Sequence, residues 1–199
     1  GTTFWIDKSG DAHITSAQEC NAAYAAGNVL EAVASFGDIF VDGHARSDLD
    51  NSTRASRTAI GIKADGTVVM FMVDGRQAPY SVGMTMAEVA AAMEDLGCEQ
   101  AVNLDGGGSS TFATQREGES ENDTTAGLTL RCRPSDGYER KVSNTIMVLS
   151  TAKPTGQFDH AVVTPNDEVY TPGSTVQFKA TGVDAAGGRA GALAFDDGR

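Results

Sequence analysis

Residues 85–110 read TMAEVAAAMEDLGCEQAVNLDGGGSS, and three structural signals follow one another within them. Thr85-Met86-Ala87-Glu88 is a capping box, in which the Thr85 hydroxyl accepts from the N3 backbone N–H and Glu88 reaches back to the cap. Val89, Ala92, Met93 and Leu96 then recur at helical spacing, and Gly97 supplies the stop. A short apolar strand at 101–104 ends in Asp105 and runs into three consecutive glycines. Just upstream, 58–62 and 67–73 are β-rich and are joined through Asp65-Gly66, a type I′ hairpin signal. Strand, capped helix, strand is a βαβ unit, so 67–73 and 101–104 are expected to run parallel. The fold class expected is α/β (α+β): a mixed β-sheet with packed helices.

Outward from this centre the signals are shorter. Residues 3–6 and 12–14 flank Lys8-Ser9-Gly10 as a hairpin, and Ser16 caps a helix from 17 to about 26, ahead of Gly27. Val29, Leu30, Val33 and Ala34 suggest another helical turn or two, followed by a strand at 38–41; a further strand is expected at 144–149. After Ser150 the polar run TAKPTGQFDH, with Pro154 and Gly156, reads as a linker. Strand signals at 161–164 and 175–181 then flank the turn Thr171-Pro172-Gly173-Ser174, with Val176, Phe178 and Ala180 sharing a face. A turn-like run at 184–191 precedes Leu193 and Phe195. This is the start of an immunoglobulin-like β-sandwich, of which a full copy needs ~100 residues. The expected organisation is a first domain over 1–150, then a linker and a partial bacterial Ig-like module over 151–199.

Composition narrows the function. The 199 residues hold 15 Lys and Arg against 27 Asp and Glu, a net charge of −12, which argues against nucleic acid as a partner. With 40% hydrophobic and 21% charged residues the chain is not of a disordered class. No run is apolar for long enough to span a bilayer, and the oligomeric state is left open. The chain opens on Gly1 rather than Met, which reads as a removed leader and a secreted or cell-surface protein. Cys20, Cys98 and Cys132 are odd in number and lack CxxC spacing, so they are buried thiols, or one disulfide plus a spare. His13, His44 and His160 lack the HExxH pattern, and no metal or cofactor is expected. The acidic run Glu117, Glu119, Glu121 and Asp123 reads as a solvated loop, or alternatively as a lid over the site or a loose cation site.

The chemistry concentrates at Asn103-Leu104-Asp105-Gly106-Gly107-Gly108-Ser109-Ser110. Three glycines in a row cost backbone entropy. Either they make a tight turn between strands, or they open backbone N–H groups into an anion-binding nest. No Lys follows, which excludes a Walker A loop, and the GxGxxG dinucleotide pattern is not matched. If 67–73 and 101–104 are parallel, Asp74 and Asp105 leave the same end of the sheet. A two-residue turn at Asp65-Gly66 would place Arg57 opposite Asp74. Arg57, Asp74, Arg76 and the 105–110 loop then converge, which suits a substrate carrying both a sugar and a phosphate. The plainer alternative is an Arg57–Asp74 cross-strand ion pair at a sheet edge.

RTAIGI at 57–62, VDGR at 73–76, SVGMT at 81–85, LGCEQAVNLDGGGSSTF at 96–112 and RKVSNTIMV at 140–148 resemble, in order, successive motifs of the phosphodiester glycosidase family. The resemblance implies an enzyme, a glycoside hydrolase cutting the bond between a sugar's anomeric carbon and a phosphodiester. Its substrate would be a phosphorylated carbohydrate, such as N-acetylglucosamine-1-phosphodiester on a glycan. It implies that Asp105 with its glycine loop, Arg57, Asp74, Arg76, Ser110 and the segment 140–144 line the pocket, and among these Asp105 is taken as the first candidate for a catalytic carboxylate and Asp74 as the second. Substrate and phosphate contacts would come from Arg57, Arg76, Asn103, Gly106, Gly107, Gly108, Ser109, Ser110, Arg140, Ser143 and Asn144. The chain departs from the family in lacking an upstream Asn-Gly-Phe-Phe-like motif, so either the first domain lacks its N-terminal part, as expected here, or the chain is a divergent copy. The alternative function is a non-catalytic cell-surface module that binds phosphorylated glycans; a structural or adhesion role is a third.

Overall fold

The computed structural model describes residues 1–115, 128–165 and 170–190. The chain divides into two units, Gly1–Phe112 with Arg131–Ser143, and Ala113–Leu130 with Asn144–Arg199. The fold is mixed α+β, mostly strands, with two α-helices among the described residues, neither long and apolar enough to cross a membrane. The acidic run at 117–123, Leu193 and Phe195 lie outside the described residues.

In the first unit, β1 (Thr2–Asp7) and β2 (Ala12–Ser16) form the expected hairpin. Ser16 and Glu19 then close a capping box on α1 (Ala17–Ala25). The helical turns expected near Val29 are instead β3 (Val29–Ala34), paired antiparallel with β1 in a sheet of order β2-β1-β3. The free edge of β1 needs a second ladder of partners, and β-branched Val29 and Val33 suit it; pairing overrides the local pattern.

The second sheet carries the site. Its strands are β4 (Gly37–Val41), β5 (His44–Ala45), β6 (Arg57–Lys63), β7 (Val68–Val73) and β8 (Cys98–Asn103), in the order β5-β4-β8-β6-β7. Both β7 and β8 pair antiparallel with β6, so they run parallel to each other with β6 between them. Between β7 and β8 the chain crosses over through α2 (Met86–Asp95), capped by Thr85 with Glu88 and followed by Gly97 at φ +79. Val89, Ala90 and Met93 of α2 are fully buried and pack on Ile39, Phe40, Ala59, Cys98 and Ala101. Burying a side chain of this size is worth about 1.5–3 kcal/mol, so this face fixes the helix to the sheet.

Turn geometry corrects the register. Of the residues joining β6 to β7, Gly66 has positive φ (+83) and Asp65 does not, whereas a type I′ turn needs both. Lys63 N–H donates to Thr67 C=O at 2.9 Å, which encloses residues 64–66 in a longer turn. The register shifts by one residue, and Arg57 stands opposite Val73 rather than Asp74.

In the second unit, β9 (Ala113–Thr114) pairs with β10 (Thr129–Leu130), and β11 (His160–Thr164) with β12 (Lys179–Val183). The expected strand at 175–181 begins only at Lys179, because β11 offers partners from Lys179 to Val183 and Phe178 is exposed. The strand expected at 144–149 is not formed: no strand pairs with it among the described residues, and Met147, Val148 and Leu149 are exposed. Part of the supposed linker is tied down. The fully buried Asp184 carboxylate accepts from the backbone N–H groups of Thr155, Gly156, Ala186 and Gly188. The Gly156 bond leads these in holding its pKa below the usual carboxylate range.

Candidate active site

The two antiparallel pairings of β8 bring the start of β4, the end of β8 and the start of β6 to one edge of the sheet, and the end of β7 lies there too. A cavity of about 290 Å³ opens at this edge. Phe36, Ala55, Asn103, Leu104 and Asp105 line it, as do Gly106, Gly107 and Gly108 and the arginines Arg57, Arg76 and Arg140. Eight of the residues singled out from sequence therefore meet in one cavity. Three guanidiniums face it with the Asp105 carboxylate, so its lining favours an anion despite the acidic chain.

Each arginine is placed by a different element. Arg57 opens β6, and its guanidinium donates to the carbonyls of Met84 (3.0 Å) and Thr53 (2.7 Å). Arg76 follows β7 with φ +60, a strained conformation for a residue with a side chain, which costs of order 1–3 kcal/mol and collects at functional sites. Arg140 is held by the Asp136 carboxylate (Nε to Oδ2 2.9 Å) and donates to Ser109 Oγ at 3.4 Å.

Four N–H groups of the glycine loop are engaged within the protein. Residues Gly107–Ser109 make a 3-10 turn, in which Ser109 N–H donates to Gly106 C=O and Ser110 N–H to Gly107 C=O. Gly106 N–H is taken by Asp105 Oδ1 (2.9 Å) and Gly107 N–H by Ser56 C=O (2.8 Å). These donors are spent inside the protein. What the missing side chains provide is room for cations. A Cβ on Gly107, itself at φ +60, would sit 3.1 Å from the Arg76 guanidinium, and one on Gly108 would collide with Arg140 and with the Asp136 carboxylate.

The other residues singled out lie elsewhere. Asp74 is absent from the cavity lining. Its carboxylate accepts from the Tyr80 hydroxyl (2.9 Å) and from the Arg133 backbone N–H (3.0 and 3.1 Å). The Arg133 guanidinium lies 4.1 Å over the Tyr80 ring, and the Asp74 bond pushes the Tyr80 hydroxyl above its ordinary pKa. Ser110 is buried, with its Oγ 3.0 Å from Thr58 Oγ1. Ser143 is exposed at the end of the first unit, and Asn144 belongs to the second. All three cysteines are free thiols, Cys20 and Cys98 buried and Cys132 half-buried. Among the described residues no cluster of three His, Cys, Asp or Glu side chains stands close enough to share a metal ion.

Two residues escaped the sequence reading. Asp136 sits four residues before Arg140, a spacing that could have signalled the pair. Phe36 carried no signal, since it reads as an ordinary apolar residue ahead of a strand.

At the strand ends of this α+β domain Asp105, Arg57 and Arg76 gather around one cavity, joined by Arg140 from the Arg131–Ser143 segment. The chain belongs to the phosphodiester glycosidase family, whose sequence profile matches residues 2–149. A prophage-derived uncharacterized protein of Bacillus subtilis (strain 168), YomE, is 37% identical over 99 residues, covering 50% of this chain and 13% of that protein. The zebrafish N-acetylglucosamine-1-phosphodiester alpha-N-acetylglucosaminidase catalytic domain, auto-inhibited by its pro-peptide, shares the fold at a TM-score of 0.51. It is 21% identical, over 71% of this chain and 50% of that one. A Burkholderia pseudomallei protein named as exported is 43% identical over 44% of this chain and 14% of its own, with a TM-score of 0.36. The chain thus spans a small part of the curated relative it matches and half of the zebrafish chain.

Proposed function

We propose that the chain carries a hydrolase site for the glycosidic bond of a sugar-1-phosphodiester, with N-acetylglucosamine-1-phosphodiester on a glycan as the model substrate. The observation that carries this reading is Asp105, placed at the cavity with Arg57, Arg76 and Arg140. The guanidiniums hold the phosphate and stabilise the charge it gains as the bond to the anomeric carbon breaks. A phosphate leaving group carries that charge with little need of a proton, so one carboxylate can serve. Asp105 either attacks the anomeric carbon and is later displaced by water, or takes the proton from a water that attacks directly. In both routes water's oxygen ends on the sugar and its proton is released, while the diester becomes a monoester. The test is release of N-acetylglucosamine from such a diester by this chain, and its loss in Asp105→Asn.

A second reading, a non-catalytic module that holds phosphorylated glycans, draws support from Asp74, which is fastened away from the cavity instead of forming a carboxylate pair. Tight binding of the diester without turnover would select it. A phosphorylated glycan as substrate argues for a secreted or cell-surface protein. In this reading residues 1–150 form the glycosidase domain, and the β11–β12 hairpin belongs to an Ig-like module over 151–199 that spaces or anchors it.

A further inference from the structure

We infer that the cavity has a fixed polarity, with Phe36 as the platform for the sugar ring on one side of Asp105 and Arg57 and Arg76 as the phosphate seat on the other. This rests on the sugar-phosphodiester reading above and adds to it which end of the substrate lies where.

The order follows from the sheet. Along its edge the strands come as β4, β8, β6, β7. Phe36 immediately precedes β4, and its N–H donates to the Asn103 carbonyl at the end of β8 (2.8 Å), next to the Gly37–Asn103 pairing. Asp105 follows β8, Arg57 opens β6 and Arg76 follows β7. Neighbouring strands lie ~4.8 Å apart, so β4 to β7 spans ~14 Å, room for a ring and a phosphate side by side. Asp105 falls between them, where the bond to be cut would lie.

The chemistry of the two sides differs in the same sense. Phe36 is 75% exposed and lines the cavity, where it is the aromatic side chain. A pyranose presents a face of C–H groups, and an exposed phenyl ring gains by covering it, since both surfaces leave water. The other side carries Arg57 and Arg76, whose planar forks match phosphate oxygens and give a neutral sugar face little. Sugar selectivity would therefore be set beside β4, and acceptor selectivity beside β7.

The test uses the full chain in three forms: wild type, Phe36→Ala and Arg76→Gln. Each is titrated by NMR with N-acetylglucosamine and, separately, with inorganic phosphate, and assayed on N-acetylglucosamine-1-phosphodiester. Phe36→Ala should weaken sugar binding and raise KM roughly fivefold to tenfold, with kcat and phosphate affinity unchanged. Arg76→Gln should weaken phosphate binding and spare the sugar. Phe36→Trp restores a platform and should recover KM, which a merely structural role at this exposed position would not require. The inference is overturned if Phe36→Ala leaves sugar affinity and KM unchanged, if it weakens phosphate as much as sugar, or if the Trp variant fails to recover. Should wild type turn over no diester, the hydrolase reading fails on its own. The two titrations then decide the polarity: sugar binding lost with Phe36 supports it, and sugar binding absent or indifferent to Phe36 overturns it.

Discussion

Asp105 and Asp74 each follow a strand, β8 and β7, that runs in the same direction to the same edge of one sheet, yet they meet different surroundings. Asp105 is exposed and lines the cavity, and its Oδ1 accepts the N–H of its own neighbour Gly106. Asp74 is half-buried, and its two oxygens accept from Tyr80 and Arg133, which fastens the segment after β7 to residues 131–134. That fastening bears on the site, because the chain from Arg133 leads within a few residues to Asp136 and Arg140 over Gly108. A carboxylate whose acceptors are filled by the protein is a fastener, and under the proposed function Asp105, which lines the cavity with three arginines, is the one that acts. Position at a strand end brings both possibilities, and the neighbouring donors choose between them.

The largest expected effect breaks or keeps this contrast directly. Asp105→Asn should reduce kcat on N-acetylglucosamine-1-phosphodiester by about 10³-fold and shift the melting temperature little, as the residue is exposed. An equal loss in Asp74→Asn, with the fold intact by circular dichroism, would erase the distinction. Next, Gly108→Ala pushes Asp136 and Arg140 off the loop, and inorganic phosphate affinity measured by calorimetry should fall about 30-fold. Asp74→Ala, removing the acceptor for Tyr80 and Arg133, should lower thermal stability by about 1–3 kcal/mol and turnover by only about tenfold.

The smallest effect tests the fastener by pH. The bond to Asp74 favours the neutral Tyr80 hydroxyl and raises its pKa above the ordinary 10.0. A raised value in the folded state contributes stability that is complete below pH 10 and is lost as pH rises through the folded value. Tyr80→Phe should therefore lower stability slightly at neutral pH, with turnover changed about twofold, and its melting curve should meet the wild-type curve above that pH. A constant difference at all pH values would show that the hydroxyl is not what matters.

Much of the first unit was legible because its signals are local. The Ser16 cap and the Thr85–Glu88 capping box act over three residues, and both helices start where they place them; Glu19 completes the first box in the structure. The parallel course of β7 and β8 was also readable, since a single capped helix lies between them. Residues 29–34 misled because a short apolar run fits either a helix turn or a strand, and only the vacant edge of β1 decides for the strand. The Asp65-Gly66 dipeptide misled by one residue, enough to move Arg57 off Asp74. The glycine run reads from sequence as a turn or a nest; in the structure the N–H groups of Gly106, Gly107, Ser109 and Ser110 have partners within the protein, and the missing side chains leave room for Arg76 and Arg140.

The sequence by itself determined the starts of both helices, the β1–β2 hairpin and the parallel course of β7 and β8, because each depends on contacts between near neighbours in the chain. Tertiary structure alone decided that β6 lies between the parallel strands, that Asp105 lines the cavity while Asp74 is fastened, and that Phe36 and Asp136 join the site. Those outcomes rest on strand order, on a one-residue register and on side chains that meet from distant segments. Such contacts form only once the sheet has closed, and no local pattern of residue types encodes them.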